Sequence, residues 1–146
     1  MIIISTAYPR KPNMASMFID TFYYLSLMSR NDSDRERTIE LSRHLTADTV
    51  TTAWVLTEVA DAMSLPLHRE LFVRLHNALR SDAHVKILGA SEELFERGMG
   101  LYANRVDKAW SLTDCISFCV MTELGITDAL TADHHFEQAG FRALLK

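Results

Sequence analysis

The sequence predicts an α/β fold in which a mostly parallel sheet of four to five strands lies between layers of helices. Three observations carry this expectation. Short apolar or β-branched runs recur along the chain: SMFID (16–20), DTVTT (48–52), VKIL (85–88), DALTA (128–132) and FRALL (141–145). Longer stretches with helical periodicity separate most of them. No internal repeat, low-complexity segment or linker interrupts the alternation. Strands that alternate with helices in this way bury a parallel sheet on both faces.

Each element has its own signal. SMFID is short, apolar and followed by a polar break, as a buried parallel strand requires. TFYYLSLMSR (21–30) continues as a largely apolar helix. Ser33 and Asp34 are N-cap candidates for RERTIELSRHL (35–45), whose apolar side is Ile39, Leu41 and Leu45. DTVTT is β-branched and extended. AWVLTEVADAMS (53–64) is helical and cannot run on through Pro66. HRELFVRLHNALR (68–80) carries Leu71, Phe72, Leu75 and Leu79 on one stripe. A helix over 91–103 is capped by Ser91, and one from Thr113 to Glu123 ends at Gly125, the residue type that best tolerates a left-handed C-cap.

The 146 residues suit one domain, expected over 17–146, behind a dispensable N-terminal extension, 1–16. With 48% apolar and 23% charged residues, the composition is that of an ordinary globular chain. The apolar burst near the start is far shorter than the roughly 7–15 residues of a secretory h-region, and no run reaches membrane-span length. Cys115 and Cys119, one helix turn apart, read as free thiols in a reducing cytoplasm. The formal charge of −4 argues against a generally basic nucleic-acid binder. It does not argue against a site where bound divalent metal supplies the positive charge.

Four acids stand out. Asp20 follows an apolar strand at the point where a lone carboxylate is expensive to bury. It reads either as a cap for the next helix, helped by Thr21, or as a metal ligand or general base at the strand's carboxyl end. Glu58 lies outside the polar arc of its helix (Thr57, Asp61, Ser64), between Trp54 and Ala62, and either snorkels to water or faces a site. Asp114, three residues after Ser111, fits a capping box, yet its helix is apolar nearly all round and therefore central. Asp133 sits just past DALTA, as an N-cap or as a fourth ligand. Two strand ends and two helices can bring these acids to one edge of a parallel sheet. Four clustered carboxylates cannot all ionise cheaply without a cation. Hard oxygen donors select Mg²⁺ or Mn²⁺, ions that activate water and stabilise a leaving oxygen in phosphodiester hydrolysis.

The segments MFIDTFYYLSLM, VTTAWVLTEVADAM and WSLTDCISFCVMTELGITDALTADHHFEQAGF resemble the successive motifs of PIN-domain ribonucleases, above all the VapC-like toxins of bacterial toxin–antitoxin pairs. The resemblance runs from residue 17 to 145 and is most specific over 110–141. It implies a PIN-like three-layer α/β/α sandwich and Mg²⁺- or Mn²⁺-dependent endonucleolytic cleavage of RNA. The family's acidic quartet falls on Asp20, Glu58, Asp114 and Asp133. Asp20, Asp114 and Asp133 would hold metal directly, and Glu58 directly or through water while orienting the attacking hydroxide. Thr21 matches the polar residue that follows the first aspartate, and Asp107 is an auxiliary acid or a solvated loop acid. Phe22 departs from the small residue many relatives have. A homodimer held inactive by an antitoxin, whose tail enters the acidic pocket, is also implied; the cytoplasmic location is read from the thiols and from the lack of a secretory or membrane-span run.

Other features have readings of their own. His134 and His135 are adjacent and read as non-ligands, since metal ligands are spaced. Trp54 and Trp110 read as core rather than as base-stacking platforms. Arg105 and Lys108 either contact phosphates or occupy a solvated loop. Two other functions compete with the nuclease. A non-catalytic PIN-like module binding RNA or protein would be expected to have lost acids. A haloacid-dehalogenase-like phosphatase would need a second Asp where this chain has Phe22.

Overall fold

A computed structural model describes residues 16–29 and 33–146. The expected extension therefore lies, apart from Ser16, outside the described residues, as does Arg30 at the end of the first expected helix. The elements are β1 (Met17–Ile19), α1 (Thr21–Met28), α2 (Arg35–Arg43), β2 (Thr49–Thr52), α3 (Ala53–Ala62), α4 (Pro66–Ser81), β3 (Val85–Leu88), α5 (Glu92–Asn104), α6 (Leu112–Leu124), β4 (Asp128–Leu130), α7 (His134–Gln138) and β5 (Arg142–Ala143). All five expected strands form, and every pairing is parallel, in the order β3-β2-β1-β4-β5.

Local chemistry explains most boundaries. Ser91 accepts from the Leu94 amide at 3.2 Å and opens α5. Gly125, at φ 65°, closes α6. Neither Ser33 nor Asp34 caps α2 by side chain: Asp34 holds the N-cap position with no capping hydrogen bond. Pro66 does more than stop α3. It stands at the first position of α4, where its missing N–H is no loss, and the helix starts two residues earlier than expected. The five-residue α7 is implied only by the N-cap reading of Asp133, because one and a half turns are too short to show periodicity.

Strand order determines where a ligand can sit. The chain steps from β1 to β2 to β3 in one direction, then returns to β4 and β5 on the far side of β1. With right-handed crossovers, α1–α4 cover one face of the sheet and α5–α7 the other. The direction reverses between β1 and β4, which leaves a crevice beyond their carboxyl ends. Phe18 pairs with Ala129 and Ile19 with Leu130, so β1 and β4 finish level and deliver Asp20 and Thr131 side by side.

The floor of that crevice is closely packed. Phe18, Ile19, Ala129, Leu130, Ile116, Met121 and Phe136 are essentially inaccessible to solvent. Phe118 packs edge-on against Phe136 and Trp110, with ring centroids 5.0 Å apart in each pair. Helices α5 and α6 meet at Gly98, where an added Cβ would overlap the Ile116 side chain and lie 3.3 Å from its Cα. Gly98→Ala is accordingly expected to destabilise the protein by up to about 2 kcal/mol. Overpacking of about 1–3 kcal/mol is offset in part by the better helix propensity of Ala. A urea midpoint equal to that of the wild type would show that the two helices are not in close contact here.

Candidate active site

The structure brings Asp20, Glu58, Asp114 and Asp133 together at this crevice. Asp20 takes the N-cap position of α1 but makes no capping hydrogen bond. Its carboxylate turns instead toward β4, where the Thr131 hydroxyl donates to Oδ2 at 2.9 Å. Asp20 is only 6% exposed. Burial raises its pKa to about 7; the Thr21 amide and Thr131 hydroxyl pull against this, while Asp114 and Glu58 add to it.

Glu58 is half-buried on α3, and the Thr21 hydroxyl donates to its Oε1 at 3.0 Å. Desolvation pushes its pKa up, with Asp114 and Asp133 reinforcing the shift. Asp114 satisfies both of its sequence readings at once. It completes the capping box, with Ser111 N–H donating to Oδ2 at 3.1 Å and the Ser111 hydroxyl accepting from the Asp114 amide at 3.0 Å. It is also 8% exposed and faces the other acids. Burial raises its pKa, and Asp133 adds to the rise. Asp133 caps α7 by accepting from the His135 amide at 2.9 Å, and its own amide donates to Thr131 Oγ1 at 3.0 Å.

These hydrogen bonds share a pattern. Among the described residues, Asp114 is bonded only through Oδ2, Glu58 only through Oε1 and Asp133 only through Oδ1. The second oxygen of each is left free, and among the described residues no unpartnered side-chain oxygen is sealed from solvent. Carboxylates oriented by one oxygen and open at the other, each raising another's pKa, are a donor set that fits a hard divalent cation.

Two partners of these acids escaped the sequence reading. Thr131 bridges Asp20 and Asp133 through one hydroxyl that both donates and accepts. His135 Nδ1–H donates to Asp114 Oδ2 at 3.0 Å and lies 3.5 Å from Asp133 Oδ1. The only available signal was their place beside Asp133 in TADHH, and nothing in the sequence distinguishes them there from turn residues. Thr131→Val should remove the side-chain partner of Asp20, destabilise the fold by about 1–3 kcal/mol and raise the Asp20 pKa further. NMR titration of the Asp20 carboxyl carbon would check this, and an unchanged midpoint would contradict the bond.

Asp133, His134 and His135 also present ligand atoms within 4.8 Å of one another. That set is the poorer one. His135 spends Nδ1 as a donor to Asp114, and His134 is exposed. Asp107 is not brought into the cluster. It is exposed and held by both Nε and Nη2 of Arg105 at 2.9 and 3.0 Å, which lowers its pKa to about 2. Phe22 is half-buried against the core. Trp110 is buried, with Nε1–H donating to Gln138 Oε1 at 3.0 Å, and Trp54 is half-buried against the core. Cys115 and Cys119 are free thiols. No helix among the described residues is long and apolar enough to cross a membrane.

Among solved structures, the chain is similar to Mycobacterium tuberculosis VapC20, a sarcin-ricin loop cleaving toxin. The TM-score is 0.80 at 23% identity, over 88% of this chain and 98% of that one. At that identity the likeness establishes the fold, and the fold is the PIN-like α/β/α sandwich that the sequence motifs imply. No family model matches the chain, and no curated protein does so either.

Proposed function

We propose that the chain is a divalent-metal-dependent endoribonuclease, the toxin of a VapC-type toxin–antitoxin pair. The observation that supports this most is the convergence of Asp20, Glu58, Asp114 and Asp133 at the switch point of a sheet shared with an RNA-cleaving toxin. Asp20, Asp114 and Asp133 would hold Mg²⁺ or Mn²⁺, with Glu58 reaching it directly or through water. When bound, such an ion lowers the pKa of water and neutralises charge on the scissile phosphate. The protein's own share is orientation and proton handling. Thr131 and His135 keep the aspartates in place. Thr21 fixes one oxygen of Glu58 and leaves the other to orient the attacking water and accept its proton. Partnership with an antitoxin, a homodimeric state and a cytoplasmic location belong to the same proposal.

Incubation of the purified chain with total bacterial RNA tests the reading. Discrete fragments are expected with Mn²⁺ or Mg²⁺ and none in EDTA. RNA left intact under all conditions, with RNA or a protein partner still bound, would favour the non-catalytic binding module instead.

A further inference from the structure

A basic concavity whose wall includes Cys115, the residue after Asp114, is left unused by the hydrolytic reading. It has a volume of about 420 Å³, and its walls include Tyr102, Arg105, Lys108, Trp110 and Cys115. Cys115 directly follows Asp114, and the loop that carries Arg105 and Lys108 runs straight into the first turn of α6. Trp110 ties this loop to α7, whose first turn is capped by Asp133.

Two cations here are pre-set rather than merely present. Arg105 is clamped by Asp107 through Nε and Nη2, and its Cζ lies 4.8 Å from the Trp110 ring centroid. Its Nη1 makes no hydrogen bond among the described residues. Lys108 is held in a turn by its amide, which donates to the Arg105 carbonyl at 3.1 Å. Its ammonium is 3.9 Å from Asp107, a loose pair, although the side chain is only 27% exposed. By contrast, Arg97, Arg142 and Lys146 are closed by acids at 2.6–2.8 Å. Tyr102, on the last turns of α5, is half exposed at the rim.

A polyanion approaching a chain of net charge −4, at a site of four acids, meets repulsion unless fixed cations receive it. Arg and Lys position a phosphate backbone, and an exposed aromatic side chain stacks on a base without regard to sequence. We infer that this concavity seats the RNA nucleotide next to the scissile bond. Lys108 and the free Nη1 of Arg105 each take one backbone phosphate, and Tyr102 stacks on the adjoining base. The inference rests on the ribonuclease reading.

Fluorescence anisotropy tests it, with a short fluorescein-labelled single-stranded RNA of mixed sequence and the full chain carrying Asp20→Asn to prevent cleavage. Adding Arg105→Gln and Lys108→Gln should weaken binding about tenfold at physiological salt. It should also lower the slope of log K against log salt by about 1.4, the share of two phosphate contacts on a single strand. Lys108→Arg should restore most of the Lys108 contribution, and Mn²⁺ affinity of the wild-type background should not change. If the double variant melts below its parent, Lys108→Met alone replaces it, with an expected slope change of about 0.7. An unchanged slope would overturn the subsite even where the wild type cuts RNA. If the parent binds no RNA and the wild type cuts none with metal, the ribonuclease reading falls and the subsite with it.

Discussion

Asp20→Asn is expected to lower RNA cleavage by well over about 100-fold, the loss that removal of an outer-shell partner alone can produce at a metal site. Asp20 is the most buried of the four acids and the one at the end of the central strand, so its loss removes the innermost negative charge from the donor set. The same change should stabilise the metal-free protein at pH 8. A buried carboxylate held beside Asp114 and Glu58 must ionise there, and an amide does not. Asn keeps an oxygen to accept from Thr131. Single-turnover cleavage assays and melting curves in EDTA read the two effects separately. A variant that cuts RNA at the wild-type rate would remove Asp20 from the mechanism.

The second large effect is on pH. The folded-state pKa of Asp20, about 7, lies above its ordinary value of 3.8, so between those values the native state binds more protons than the unfolded chain. Stability of the metal-free protein therefore falls as pH rises from about 4 to about 7 and stays low above that. For Asp20 alone the shift corresponds to about 4 kcal/mol. Glu58 and Asp114 act in the same direction. Asp107 opposes the trend only below about pH 4, where its Arg105 pair is lost. Urea unfolding in EDTA across this range should show the decline. Mn²⁺ added near pH 7.5 should reverse it, since a cation bound to the native state offsets the repulsion. Stability that stays flat or rises over that range would contradict the electrostatic account of the crevice.

Much of this arrangement was legible in the sequence, for definable reasons. The strands showed because β-branched and apolar runs are short and bounded, and their order with intervening helices left a parallel sheet as the economical topology. Asp20 and Glu58 showed because each is a charge in an apolar setting. Asp114 and Asp133 were harder, since helix capping explains them fully. In the structure they cap helices with one oxygen and leave the other facing the crevice, so the two readings were never exclusive. Asp20 behaves in the opposite way, holding a cap position without capping. Thr131 and His135 were not legible, because what matters is the register of β1 against β4 and the short helix α7, neither of which has a sequence period. Asp107 looked like an auxiliary acid by proximity in sequence, but a bidentate arginine two residues away engages it first.

The central claim is that four carboxylates form one cation site, and isothermal titration of Mn²⁺ into the protein at pH 8 tests it most directly. The wild type should bind, and Asp20→Asn, Glu58→Gln, Asp114→Asn and Asp133→Asn should each weaken binding at least about tenfold. His134→Ala should leave it unchanged. Binding that survives Asp20→Asn and Glu58→Gln but is lost with His134→Ala would place the ion on Asp133, His134 and His135, and would contradict the claim.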